Sequence, residues 1–189
     1  AEQGSLRTAE RSLVARAVAG NFARSMNVLP LPWRALLLGG VLVLTSCSGD
    51  QATCDRFLEP YPDLISGRQR SAKNATYLDA MAHYSAGRYS EAIPLLRSYL
   101  QQRDAHDGAH LYLACSLLEV GEPFEAELEL DHLERSHLKD FRDQTEWYTV
   151  LCWLCSDQRD RALEGAKGVS GQPRHTYAAQ ARALVEALQ

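Results

Sequence analysis

The chain is 189 residues long, with 20 basic and 24 acidic side chains and 46% apolar content, an ordinary globular composition that excludes a disordered, collagen-like or strongly basic protein. Its net charge of −4 averages two unlike parts: residues 1–46 hold five Arg against two Glu, while residues 47–189 hold 15 basic against 22 acidic groups, which argues against nucleic acid as a partner. Five cysteines at uneven spacing are too few for a disulfide scaffold.

The first feature along the chain is the apolar run Ala35 to Leu44, ALLLGGVLVL, with Arg34 before it and Thr45, Ser46 and Cys47 after it. Ten residues are too few to cross a bilayer, which takes about 20 in a helix. A positive flank, a short apolar core and small residues at its end form a secretory signal pattern instead. The tetrad Leu44-Thr45-Ser46-Cys47 resembles the lipobox of bacterial lipoproteins, which implies that Cys47 is the lipidated first residue of the mature protein. Met26 supplies a start, so residues 26–46 read as the signal peptide and residues 1–25 as an over-extension upstream of it. Ser48, rather than Asp, follows the cysteine; by analogy with lipoprotein sorting, the expected location is the cell envelope, lipid-anchored at the outer membrane and facing the periplasm. The competing reading, a buried helix over 35–45 with an ordinary thiol at Cys47, is opposed by Gly39-Gly40 and by the polar SCSGDQ stretch.

Residues 47–73, with Pro60, Pro62, Gly67, Phe57 and Tyr61, read as a tether running into a partly ordered segment. Residues 74–189 carry a repeat. Ala80, Gly87, Ala92 and Leu96 recur 34 residues later as Ala114, Gly121, Ala126 and Leu130, and again after 36 more as Val150, Asp157, Ala162 and Ala166. Each copy reads as two amphipathic helices. Small Ala80 and Ala92 stand where the helices approach, Gly87 where the chain reverses, and Pro123 suits the first turn of a helix. Asp157 in place of glycine predicts a looser third turn. Asn74, Asp107 and Asp143 are the expected caps of the first helices, Asp143 with Glu146 at capping-box spacing. The stretch His175 to Leu188 is amphipathic and would cover the last repeat.

The period, the paired helices and the Gly87, Tyr89, Ala92 signature resemble tetratricopeptide repeats over about 115 of the 143 residues after Ser46. Lipobox, PYP-containing segment, repeats and final helix together are similar to tetratricopeptide lipoproteins of Gram-negative bacteria. The resemblance implies an all-α chain, an α-solenoid of about three helix pairs with a C-terminal capping helix, that binds protein segments in the cell envelope, has no catalysis of its own and takes no cofactor. In such solenoids the first helices line a groove, which by resemblance places Tyr77, Met81, Tyr84, Leu111, Cys115, Leu118, Trp147, Leu151 and Leu154 at a partner-binding surface. The first helices contain no Lys or Arg after their caps, so a clamp for a terminal carboxylate is lacking. An apolar or aromatic helix, or an extended segment, is the expected occupant.

Cys152 and Cys155 spell CxxC, which raises an accessory periplasmic thiol or redox role as the alternative. A redox CxxC sits at a helix N-terminus, whereas this pair falls late in a first helix, and a zinc finger would need a second ligand pair. Both read as packed or groove-lining thiols, and the one bridge considered joins Cys115 to Cys152 or Cys155. His106 with His110, and His132 with His137, read as solvated or turn residues rather than metal ligands. Asn74-Ala75-Thr76 is better explained as a cap than as a glycosylation site. The acidic run Glu119, Glu122, Glu125, Glu127, Glu129, Asp131, Glu134 reads as a solvated outer face, with a basic partner as the alternative.

Overall fold

Three helix pairs follow one another in the chain: α2 (Ala75–Ser85) with α3 (Tyr89–Gln102), α4 (Asp107–Glu119) with α5 (Pro123–Arg135), and α6 (Arg142–Cys155) with α7 (Arg159–Ser170). A short helix α1 (Ser48–Phe57) precedes them and α8 (Ala178–Leu188) follows. This computed structural model describes residues 48–102, 106–137 and 139–189, among which no strand occurs. Cys47, the signal-like segment 26–46 and residues 1–25 lie outside the described residues.

One backbone turn joins every pair. Gly87 N–H donates to the Tyr84 carbonyl and Arg88 N–H to that of His83; Gly121 and Glu122 repeat this on Leu118 and Leu117, and Asp157 and Gln158 on Leu154 and Trp153. The pattern is a Schellman motif, which needs a left-handed residue at its centre. Gly87 and Gly121 supply it at φ 68° and 81°, and Asp157 adopts it at 59°. Asp157 is bent into the glycine conformation and the third turn keeps the same two bonds, the inner one lengthened to 3.3 Å against 2.9 and 3.0 Å in the others, a slight form of the expected loosening.

The small residues mark the helix crossings. Ala80, Ala92, Ala114, Ala126, Ala162 and Ala166 have no exposed surface, and a Cβ on Gly165 would come within 2.7 Å of Trp153 and Val150. Pro123 opens α5 at its first turn. Helix α8 packs on α7 and buries Ala181, Leu184 and Leu188.

The caps differ from expectation. Asn74 precedes α2 without capping it; its side chain instead accepts from the Ser71 N–H and donates to the Gln69 carbonyl, closing the preceding loop. His106, not Asp107, caps α4, with Nδ1 accepting from Ala109 N–H at 3.2 Å. Asp143 lies one residue inside α6, which Phe141 precedes, and its carboxylate is taken by the N–H and hydroxyl of Thr176.

The largest departure is at the N-terminal side. The stretch read as a tether is part of the core: Cys54 and Ile65 are buried, and 48–73 falls in the same compact unit as the repeats, Thr45–Gln189. Helix α1 lies against α6 and α8. Arg159 fixes it by pairing with Asp50 while also donating to the Leu188 carbonyl, and a disulfide joins Cys54 to Cys155.

Candidate functional site: the face formed by the first helices

From α1 the chain runs back across α6, α4 and α2, against the order of the repeats. A tyrosine from each of those helices grips its backbone. Tyr148 on α6 donates to the Glu59 carbonyl at 2.8 Å. Tyr112 on α4 donates to the Pro62 carbonyl and accepts from the Leu64 N–H, both at 3.0 Å. Tyr84 on α2 donates to the Tyr61 carbonyl at 2.6 Å. The proline at 62 and its neighbour at 60 keep this stretch extended and leave few backbone donors to satisfy. Asp63 closes the far end, accepting from the N–H groups of Ile65 and Ser66 and from the hydroxyls of Ser66 and Ser85. Burial tends to raise the carboxyl of Asp63, but those donors prevail and hold it below the usual range.

Burial dominates the chemistry of this face. It pushes Tyr84 and Tyr148 far above the ordinary phenol range, and Tyr112 up to about 12. The thiol of Cys115, beneath Tyr61 and between the Tyr84 and Tyr148 hydroxyls, is pushed up to about 12 by the same loss of solvent. Such groups stay neutral at physiological pH, donating hydrogen bonds rather than acting as nucleophiles.

All nine residues placed by resemblance at a partner groove are buried, none more than 4% exposed. At Tyr77, Met81, Tyr84, Leu111, Cys115, Leu118, Trp147, Leu151 and Leu154 the first helices face a segment of their own chain and each other. Tyr77 stacks on Tyr99 at 4.8 Å and Trp147 on Tyr177 at 5.7 Å. The residues that the sequence reading missed are Tyr112 and Tyr148. They stand 36 residues apart at matching positions of the second and third copies, a recurrence that could have singled them out.

The cysteine expectations are also corrected. Cys155 pairs with Cys54 across 101 residues, not with Cys115, and Cys115 and Cys152 are free and buried. With one partner of CxxC already bonded elsewhere, and burial raising the other well above an ordinary thiol, the pair Cys152 and Cys155 cannot cycle as a vicinal dithiol.

The acidic run on α5 proves to be largely engaged within the protein. Glu125 pairs with Arg97; Glu127 accepts from Trp153 Nε1 at 2.8 Å and faces Arg161; Glu129 meets His110 at 2.7 Å. Acidic residues two apart thus bridge to the helices on either side. His110, read as a solvated or turn residue, is buried, as is His175. Among the residues that α5 exposes are two large apolar ones: Phe124 and Leu128, one turn apart, are 64% and 62% accessible.

No curated protein and no solved structure matches the chain. Residues 83–148 match the family model for the tetratricopeptide repeat, a family whose members bind protein partners and serve generally as scaffolds. The match spans the turn of the first pair, all of the second and the start of the third, so residues 83–148 carry tetratricopeptide repeats, and the same inter-helix turn recurs in all three pairs.

Proposed function

We propose that the protein is a lipid-anchored scaffold of the cell envelope, held through Cys47 in the outer membrane with its repeats facing the periplasm, and that it works by protein contact without chemistry of its own. The observation that carries this reading is the self-filled face of the first helices. Helix α1 begins at the residue after Cys47, and Cys54 is stapled to α6, so a lipid on Cys47 would hold the repeats directly against the bilayer with little slack. The Cys54–Cys155 disulfide suits an oxidising compartment. Among the described residues no helix is long and apolar enough to cross a membrane, so attachment in this reading rests on the acyl group.

An occupied inner face moves the partner surface outward. A segment tethered to its own site competes at a local concentration on the order of millimolar, before the disulfide is counted, and an outside peptide displaces it only with difficulty. The exposed pair Phe124 and Leu128, one turn apart on α5, offers a surface for an apolar anchor of a partner.

The test has two arms. Mass spectrometry of membrane-extracted protein should find an acylated Cys47 at the mature N-terminus, and Cys47→Ser should release a folded protein. Crosslinked capture of envelope partners should fall for Phe124→Ala with Leu128→Ala and persist for Tyr84→Phe. An N-terminus upstream of Cys47 overturns the anchor, and undiminished capture by the double variant overturns the α5 surface.

A further inference from the structure

The His110–Glu129 pair that bridges α4 to α5 belongs to a larger cluster in the middle repeat. His110 lies on α4, and Glu129 and His132 lie three apart on the facing side of α5. One ligand atom from each of the three falls within 4.8 Å of the others. The two imidazoles stack at 4.6 Å with planes 17° apart, and His110 Nδ1 stands 2.7 Å from Glu129 Oε2. His110 is buried, Glu129 is 22% accessible, and His132 is exposed. One wall of the cluster is therefore fixed by packing and the other is open to a ligand arriving from solvent.

We propose that His110, Glu129 and His132 form a binding site for a divalent cation of the zinc class. Two imidazoles and one carboxylate suit a borderline metal rather than calcium or magnesium, which take oxygen ligands. Donors around a four-coordinate zinc at about 2.1 Å stand about 3.4 Å apart. The ion would take the place of the proton shared by His110 and Glu129, parting those atoms slightly. Exposed His132 closes the remaining distance by rotating its side chain. Three protein ligands leave a fourth position for water or for a donor from a partner. The bound ion would tie α4 to α5.

The test is titration of the tag-free full chain, stripped with chelator, with zinc chloride, followed by calorimetry and by thermal unfolding. One zinc per chain is expected, with a raised unfolding midpoint and no competition from millimolar magnesium. His132→Ala, at an exposed position, and Glu129→Gln, which keeps the shape of the side chain, should each weaken binding at least about tenfold. His137→Ala and His83→Ala should bind zinc as the parent does. Absence of zinc binding, affinity unchanged in both His132→Ala and Glu129→Gln, or equal competition by magnesium each overturns the proposal.

Discussion

Tyr148 donates its hydroxyl to the carbonyl of Glu59, 89 residues earlier in the chain, at 2.8 Å. Tyr77, as deeply buried, has a hydroxyl without a hydrogen-bond partner among the described residues. Removing an oxygen should therefore act oppositely at the two sites. Tyr148→Phe is expected to destabilise the protein by about 0.5–1.5 kcal/mol, the net worth of a made bond, whereas Tyr77→Phe should be neutral or slightly stabilising because it relieves an unpaired buried group. Urea midpoints of the two variants measure this, and equal losses would remove the tyrosine grip as a source of stability.

The Cys54–Cys155 bond closes a loop of about a hundred residues, a length at which cross-linking restricts the unfolded chain strongly. Replacing both cysteines with serine is expected to cost about 2–5 kcal/mol and to make stability insensitive to reductant, since Cys115 and Cys152 are free. Denaturation with and without dithiothreitol separates the outcomes; a double variant as stable as the oxidised parent would make the staple dispensable.

Stability should fall at alkaline pH. Burial raises the Tyr112 and Tyr177 hydroxyls and the Cys115 thiol to about 12 in the folded chain, so the fold favours their neutral forms. The stabilisation is complete below the unfolded values, near 8.5 for a thiol and about 10 for a phenol, and is lost as pH rises through about 12. Each such group contributes a slope of up to about 1.4 kcal/mol per pH unit in that window. Midpoints measured from pH 8 to 12 alongside phenolate absorbance check this; a flat profile would mean that these groups titrate as if exposed.

Asp157 occupies a left-handed conformation at φ 59° that costs a side-chain-bearing residue roughly 1 kcal/mol. Asp157→Gly should raise stability by about 0.5–1 kcal/mol, the reverse of the usual effect of adding glycine. Gly121→Asp should lower it by a similar amount. A loss of stability in Asp157→Gly would mean that the carboxylate contributes more than the strain removes.

The fold was legible wherever the sequence repeats. Gly87 and Gly121 announced the turns, Ala80, Ala92, Ala114 and Ala126 the crossings, and Pro123 a helix start, because each acts on neighbours within one helix pair. The candidate site was not, because it depends on where residues 58–66 settle relative to helices up to ninety positions away. Nothing local to Pro60-Tyr61-Pro62 distinguishes a tether from an occupant. Asp157 was legible only in part for a related reason: residue type gives the cost of a conformation, while the surrounding helices decide whether it is adopted. The caps failed at Asn74, Asp107 and Asp143 because longer-range donors, Ser136 and Thr176 among them, claim the two carboxylates.

The route of residues 58–66 also sets an order of events during synthesis. The segment leaves the ribosome before any of the helices that hold it, and its partners arrive in reverse: Tyr84 first, then Tyr112, then Tyr148. Cys54 must travel as a thiol until Cys155, 101 residues behind it, has followed, passing Cys115 and Cys152 as competing partners on the way. Contacts of such sequence separation form late and slowly, so the nascent repeats carry an uncovered aromatic face until the chain is nearly complete. Closure of the Cys54–Cys155 bond is therefore a late event in maturation, and folding yield under conditions that favour mispaired thiols should suffer before the stability of the finished protein does.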